Sequence, residues 1–177
     1  MRMKSFILLL FAGSIVLLAG CSTKTGLSPK VAHSGFDNAR TVSITPHANA
    51  ASGIIATGIG AQWNEARKDQ VILIIAVFNL ITGITGAELN IDGERTTLTP
   101  TATVTDLNSG GILKISTKDF VTQLDTVEKI IRSKRTWLRV HTPTGTMEDA
   151  VIDGDKDSKA YHALVRFMDA VKGAKKG

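Results

Sequence analysis

Asp153-Gly154-Asp155-Lys156-Asp157 places three carboxylates at alternate positions, a spacing at which acidic side chains can converge on a hard cation such as calcium. The stretch departs from an EF-hand loop twice. Ser158 stands where that loop needs its glycine, and Leu164 stands where it needs a bidentate glutamate. Lys156 also lowers the local negative charge. Two expectations follow: calcium held by Asp153, Asp155 and Asp157, or a polar turn in which Asp157 or Ser158 caps the next helix, with the acids at its positive end. The departures favour the turn.

Trp63, Trp137 and Tyr161 are the aromatics with a polar edge. Exposed on one sheet face, Trp63 and Trp137 would stack on a sugar or anchor a partner protein; packed inside, each would need an acceptor for its indole N–H. His33, His47, His141 and His162 show neither His-x-His nor His-Glu-x-x-His spacing, so they spell no zinc site. His141 and His162 could meet if a last helix packs on the hairpin before it. No Gly-x-Ser-x-Gly presents a nucleophile, and Gly58, Gly60, Gly83 and Gly86 do not form a phosphate loop. Glu88, Asp92 and Glu94 share an expected hairpin and are the remaining candidates for paired-carboxylate glycoside cleavage, although the wet side of a hairpin is their ordinary place. No catalytic residue is assigned.

The chain has one cysteine, Cys21, at the end of Leu18-Ala19-Gly20-Cys21. A basic Met1-Arg2-Met3-Lys4 and a thirteen-residue apolar run from Phe6 to Leu18 precede it, which is the layout of a secretory signal. The run is shorter than the roughly 20 residues that cross a bilayer core. A lone exported thiol has no partner for a disulfide, for redox exchange or for zinc. The segment resembles the lipobox of bacterial lipoprotein precursors. That resemblance implies cleavage before Cys21, a diacylglyceryl group on its sulfur and acylation of its new amino group. Ser22, where an aspartate would retain the protein at the inner membrane, implies sorting to the outer membrane in a Gram-negative cell, with the domain facing the periplasm; in a Gram-positive cell the same motif implies the outer face of the plasma membrane. Two or more chains, at roughly 0.8 kcal/mol per buried methylene, make such an anchor stable. The resemblance covers about the first 22 residues, and the rest of the chain is recognised as no family.

Without Arg2 and Lys4 of the leader, 21 basic residues fall to 19 against 16 acidic ones, a formal charge of +3. That balance is mild and, outside the cytoplasm, argues against a nucleic-acid partner. Lys129, Arg132, Lys134, Arg135 and Arg139 form a basic cluster, with Lys172, Lys175 and Lys176 near the end; it suits anionic head groups, a glycan or simply solvent.

The elements that must position these residues follow from periodicity. Residues 21–40 read as a polar tether, with Phe36 a candidate first core contact, and 41–173 as one domain ending in a frayed 174–177 tail. Strands are expected from Thr41 to Pro46, from Ile54 to Trp63 and from Val71 to Phe78, the last an unbroken apolar run for a central strand buried on both faces. Gly58 and Gly60 mark a bulge or a close backbone approach. Ala87 to Asp92 alternates, Asp92-Gly93 turns, and Glu94 to Thr99 pairs back until Pro100. Two further strands are expected from Ala102 to Leu107 and from Gly111 to Ser116. Phe120, Leu124, Val127 and Ile131 fall on one face of a helix opened by Ser116 and Asp119 and closed near Lys134. Trp137 to His141 and Met147 to Ile152 form a hairpin, with Arg139 facing Glu148 or Asp149. A last helix carries Tyr161, Leu164, Phe167 or Met168, and Val171 inward and stops at Gly173.

The fold expected is α+β, mainly antiparallel sheet, sandwich-like or partly closed, with two C-terminal helices. The function expected is that of an envelope lipoprotein, membrane-held through Cys21, binding a protein or other envelope component without catalysis. The alternatives are a lipid-anchored enzyme on an envelope glycan or peptide, and a calcium- or glycan-binding module.

Overall fold

Val71-Ile72-Leu73-Ile74-Ile75 is rich in β-branched residues that suit a pleated, buried surface, and it forms the middle of a sheet in the computed structural model, which describes residues 28–102, 104–109 and 114–176. The strands are β1 (Lys30–His33), β2 (Arg40–Ala48), β3 (Ala56–Asn64), β4 (Gln70–Phe78), β5 (Gly86–Ile91), β6 (Glu94–Thr97), β7 (Thr99–Pro100), β8 (Asp106–Asn108), β9 (Ile115–Gln123), β10 (Arg135–Thr142), β11 (Gly145–Asp153) and β12 (Lys156–Asp157); the helices are α1 (Leu124–Arg132) and α2 (Lys159–Lys176). All pairings are antiparallel. The first sheet runs β1-β2-β3-β4-β9, with β7 and β8 both pairing β9; the second runs β12-β11-β10-β5-β6. The architecture is α+β, mostly antiparallel sheet with two helices.

The first sheet and the helices enclose the core. Val42, Ile44, Ile59, Ala61, Trp63, Leu73, Ile75 and Phe120 are buried from the sheet, and Ala163, Leu164, Phe167, Met168 and Val171 from α2. The α2 residues recur at helical spacing, as the sequence indicates. The inner side of the second sheet adds Ala87, Leu89, Leu138, Val140 and Val151. Among the links that join the sheets, three stand out. Leu98, buried between β6 and β7, carries the chain from the second sheet to the first. Ala50 N–H donates to the Ala150 carbonyl at 2.8 Å. Asp149 accepts from the Thr57 N–H at 2.7 Å and from its hydroxyl at 2.8 Å.

The turn at Asp92-Gly93 adopts φ of 48° and 97°, and β5 and β6 pair across it, Ile91 opposite Glu94. At Gly60 an added Cβ would lie 2.6 Å from Pro46 N and 2.7 Å from Ile44 O, because β2 bulges over it between Ile44 and His47. Only glycine fits that approach.

Several boundaries differ from the periodicity reading. Ile115–Gln123 is a strand, not the opening of a helix: nine consecutive residues pair with β4, from Phe78 opposite Ile115 to Gln70 opposite Gln123. The apolar β4 needs a partner on that edge, and this pairing overrides the helical spacing of Phe120 with the residues after it. Ser116 is accordingly buried in the strand, and the helix begins at Leu124, whose N–H donates to Asp69 O at 2.9 Å. The pairing of β6 with β5 stops at Thr97, before Pro100, which closes β7 opposite Phe120 on the other sheet. β4 is fully buried on its Val71, Leu73, Ile75 and Val77 side, while Ile72, Ile74 and Phe78 on the opposite side are half-buried.

At the chain's start, the stretch expected as tether contributes β1, paired to β2 from Lys30 opposite Ser43 to His33 opposite Arg40. Phe36, at the tip of that hairpin, is 99 % exposed and makes no core contact. At the other end α2 passes Gly173 and reaches Lys176, held by the buried Ala174.

Candidate functional site

Strand alternation decides what the second sheet shows to solvent. Along β10, Thr136, Leu138 and Val140 turn inward, leaving Arg135, Trp137, Arg139 and His141 outward. Register brings Glu88 of β5 and Glu148 of β11 to either side of Arg139, and Asn90 beside Trp137 with Arg95 of β6 beyond it. On the other side of Trp137 the β11 neighbour is the small Ala150, where the pairing shifts by a bulge. A shallow depression of about 250 Å³ results, lined by Glu88, Asn90, Arg95, Arg135, Trp137 and Arg139, among others.

The charges of this face are interlocked. Arg139 Nε donates to Glu148 Oε1 at 2.7 Å, and its Nη1 lies 3.7 Å from Glu88 Oε2. His141 Nε2 is 3.0 Å from Glu88 Oε1. Asp153 accepts the Trp137 indole N–H at 3.2 Å and sits 3.3 Å from Arg135 Nε, while the Arg135 guanidinium lies 5.8 Å from the Trp137 ring centre. These contacts fix the ring's position by its polar edge and one cationic neighbour. Arg95 pairs with no carboxylate among the described residues. The face therefore offers a half-exposed aromatic surface, an uncommitted guanidinium, an amide and a pair of partly exposed carboxylates. Such a set recognises a ligand with apolar C–H surface and several hydroxyl, amide or acid groups, as a sugar or a peptide segment has.

The other residues singled out in the sequence are dispersed. Cys21 lies outside the described residues. Trp63 is 1 % exposed, with its indole N–H donated to Lys68 O at 3.0 Å, so it packs in the core rather than beside Trp137. Asp153, Asp155 and Asp157 do not converge. Gly154 and Asp155 turn the chain so that Asp153 pairs opposite Lys156, and Asp157, next along the strand, projects to the opposite face. Asp157 Oδ2 instead meets His162 Nε2 at 2.9 Å, and the cap of α2 is Ser158, whose Oγ accepts Tyr161 N–H at 3.1 Å. Among the described residues no three His, Cys, Asp or Glu side chains gather as a metal group. His141 and His162 each take a separate carboxylate partner. Of the hairpin acids, Glu88 joins the Arg139 cluster while Asp92 accepts the backbone N–H groups of Lys134 and Arg135, at 3.1 and 2.8 Å.

Two groupings lay beyond sequence reasoning. Asn90 and Arg95 reach the site only through the β5–β10 pairing, which joins residues more than forty positions apart; the alternation of Arg135, Trp137, Arg139 and His141 was the available signal. Lys118 is 6 % exposed in β9, and its Nζ donates to Ile84 O at 3.0 Å, a buried cation pinning the loop between β4 and β5. Nothing near it in sequence announces a buried lysine.

No helix among the described residues is long and apolar enough to cross a membrane. No family model matches this chain, and no curated protein or solved structure matches it either.

Proposed function

We propose that this protein is an envelope lipoprotein, anchored through acylated Cys21 in the outer membrane and facing the periplasm, whose domain is a binding module. The binding surface in this reading is the outer face of the second sheet, and its partner is a protein segment or glycan of the envelope. One observation carries the choice of surface: Trp137 lies half-exposed in a depression, held by Asp153 and Arg135, with the uncommitted Arg95 across Asn90 from it. Aromatic and arginine side chains placed together are the usual anchors of an interface. Binding is favoured over bond cleavage because Glu88, Glu148 and Asp153 are each engaged by a cation of the same face.

The test is mild cross-linking in the native envelope, capture of the lipidated protein and mass spectrometry of what is joined to it. Wild type is expected to retain a recurrent partner that Trp137→Ala and Arg95→Ala lose. Identical capture by all three proteins would place the partner elsewhere. The anchor is tested separately: Cys21→Ser is expected to block processing and acylation, and a variant that matured and stayed on the membrane like wild type would refute it.

A further inference from the structure

One end of the first sheet turns apolar residues outward. Ile54 is 85 % exposed, Leu107 55 % and Ile55 39 %. Pairing brings them to one end of the sheet, three strands apart: Ala56 lies opposite Phe78, Phe78 opposite Ile115, and Ile115 opposite Asn108. Asn79 closes the group, its side-chain amide donating to Ile54 O at 2.6 Å and its N–H to Lys114 O at 2.7 Å. Residues 49–55 contain no charged side chain, and the exposed Lys114 puts a cation at the same edge.

β1 leads back toward this end. β2 runs toward it, and β1 is antiparallel to β2 with Lys30 opposite Ser43, so the chain preceding Lys30 heads the same way. Eight residues, Ser22 to Pro29, separate Cys21 from β1. At roughly 3.3 Å per residue the span from Cys21 to Lys30 is at most about 30 Å. The part of β2 from Ser43 to Ala48 accounts for about 16 Å of it. Even fully extended, the eight residues would let Cys21 lie no more than about 15 Å past the end of the sheet.

We infer that the domain rests on the bilayer with this end down, Ile54, Ile55 and Leu107 entering the boundary between head groups and acyl chains and Lys114 meeting anionic head groups. Exposed apolar side chains at the point where the anchor emerges have a lipid surface within reach, and a nearby lysine adds attraction to an anionic leaflet. Phe36, the most exposed large apolar side chain among the described residues, lies at the opposite end and faces the periplasm. This orientation rests on the lipoprotein reading above.

Acylation leaves no other thiol in the mature chain, so Ile54→Cys, Leu107→Cys and Phe36→Cys each accept a single nitroxide label. The full acylated protein, with Cys21 modification checked by mass spectrometry, is reconstituted in vesicles of phosphatidylethanolamine and phosphatidylglycerol. Labels at positions 54 and 107 are expected to lose most of their access to a water-soluble nickel relaxant and gain access to oxygen, while the label at position 36 stays aqueous. Acylated protein with all three labels equally aqueous, or with position 36 alone in lipid, overturns the orientation and leaves the lipoprotein reading standing. An unmodified Cys21 overturns both.

Discussion

On the outward side of β4 and β9 the half-buried Ile72, Ile74 and Val121 sit among the exposed Gln70, Asp119 and Gln123, whereas on the outward side of β5, β10 and β11 Glu88, Asn90, Trp137, Arg139 and Glu148 form one face tied by ion pairs. Both sheets turn apolar residues to the core. The outward side of the first sheet thus mixes half-buried apolar residues with isolated exposed polar ones. In the second the two roles fall on opposite sides, one holding the fold and the other free to be specific. Stability and recognition should consequently respond to different substitutions.

The sharpest way to break that separation is Leu73→Ala, which empties a fully buried position at the centre of the first sheet. A loss of about 3 kcal/mol is expected in urea unfolding, from lost transfer energy plus the cavity. Gly60→Ala comes next. Its Cβ meets backbone atoms of β2 rather than a movable side chain, so about 2 kcal/mol is expected, read as a lower midpoint with an unchanged slope. A neutral result would mean that the β2 bulge yields easily and that the close approach is not a constraint.

Arg139→Ala tests the other side. Its guanidinium is about a third exposed and its partners are more or less so, at 28 % and 47 %, so the cost in stability should stay below about 1 kcal/mol. Partner capture should nevertheless fall, since the variant frees Glu148, leaves Glu88 to His141 alone and removes a wall of the Trp137 depression. Unfolding comparable to that of Leu73→Ala would erase the distinction between the two sheets.

The smallest effect belongs to the edge of the first sheet. Glu65 accepts the Arg40 N–H at 3.1 Å and its Nε at 3.4 Å, and the backbone hydrogen bond, ahead of the charge, holds its carboxyl below the ordinary 4.5. A lowered value means that the unfolded chain takes up the proton first. This contribution is therefore complete above about pH 4.5 and fades as the pH falls through the folded value. Amide exchange at Arg40 and Thr41 is expected to quicken there before the second sheet changes; simultaneous loss of both sheets would place the acid sensitivity elsewhere.

Much of this arrangement was legible in short stretches. The alternation of Ala87, Leu89 and Ile91, the Asp92-Gly93 turn, the β10–β11 hairpin with Arg139 beside Glu148, and the apolar stripe of α2 all express local periodicity and turn chemistry. Residues 115–123 were misleading for the same reason. Phe120 fits a helical spacing with Leu124 and Val127, and its strand conformation comes from β4, more than forty residues away, which has no other neighbour on that side. The proposed binding face was half legible: Trp137 and Arg139 stand out in the sequence, but Asn90, Arg95 and Glu88 join them only by register.

The resemblance of the segment around Cys21 to a lipobox, the lack of any familiar catalytic spacing and the periodic elements could all be read from the residues alone, because each is written within a few neighbouring positions. Folding in three dimensions was needed to make Trp63 core and Trp137 surface, to turn Asp153 and Asp157 toward different partners, and to bring exposed Ile54 and Leu107 to one end of the first sheet. Each depends on which strands pair and in what register. That choice is made by burying apolar surface across the whole chain, and no local window contains it.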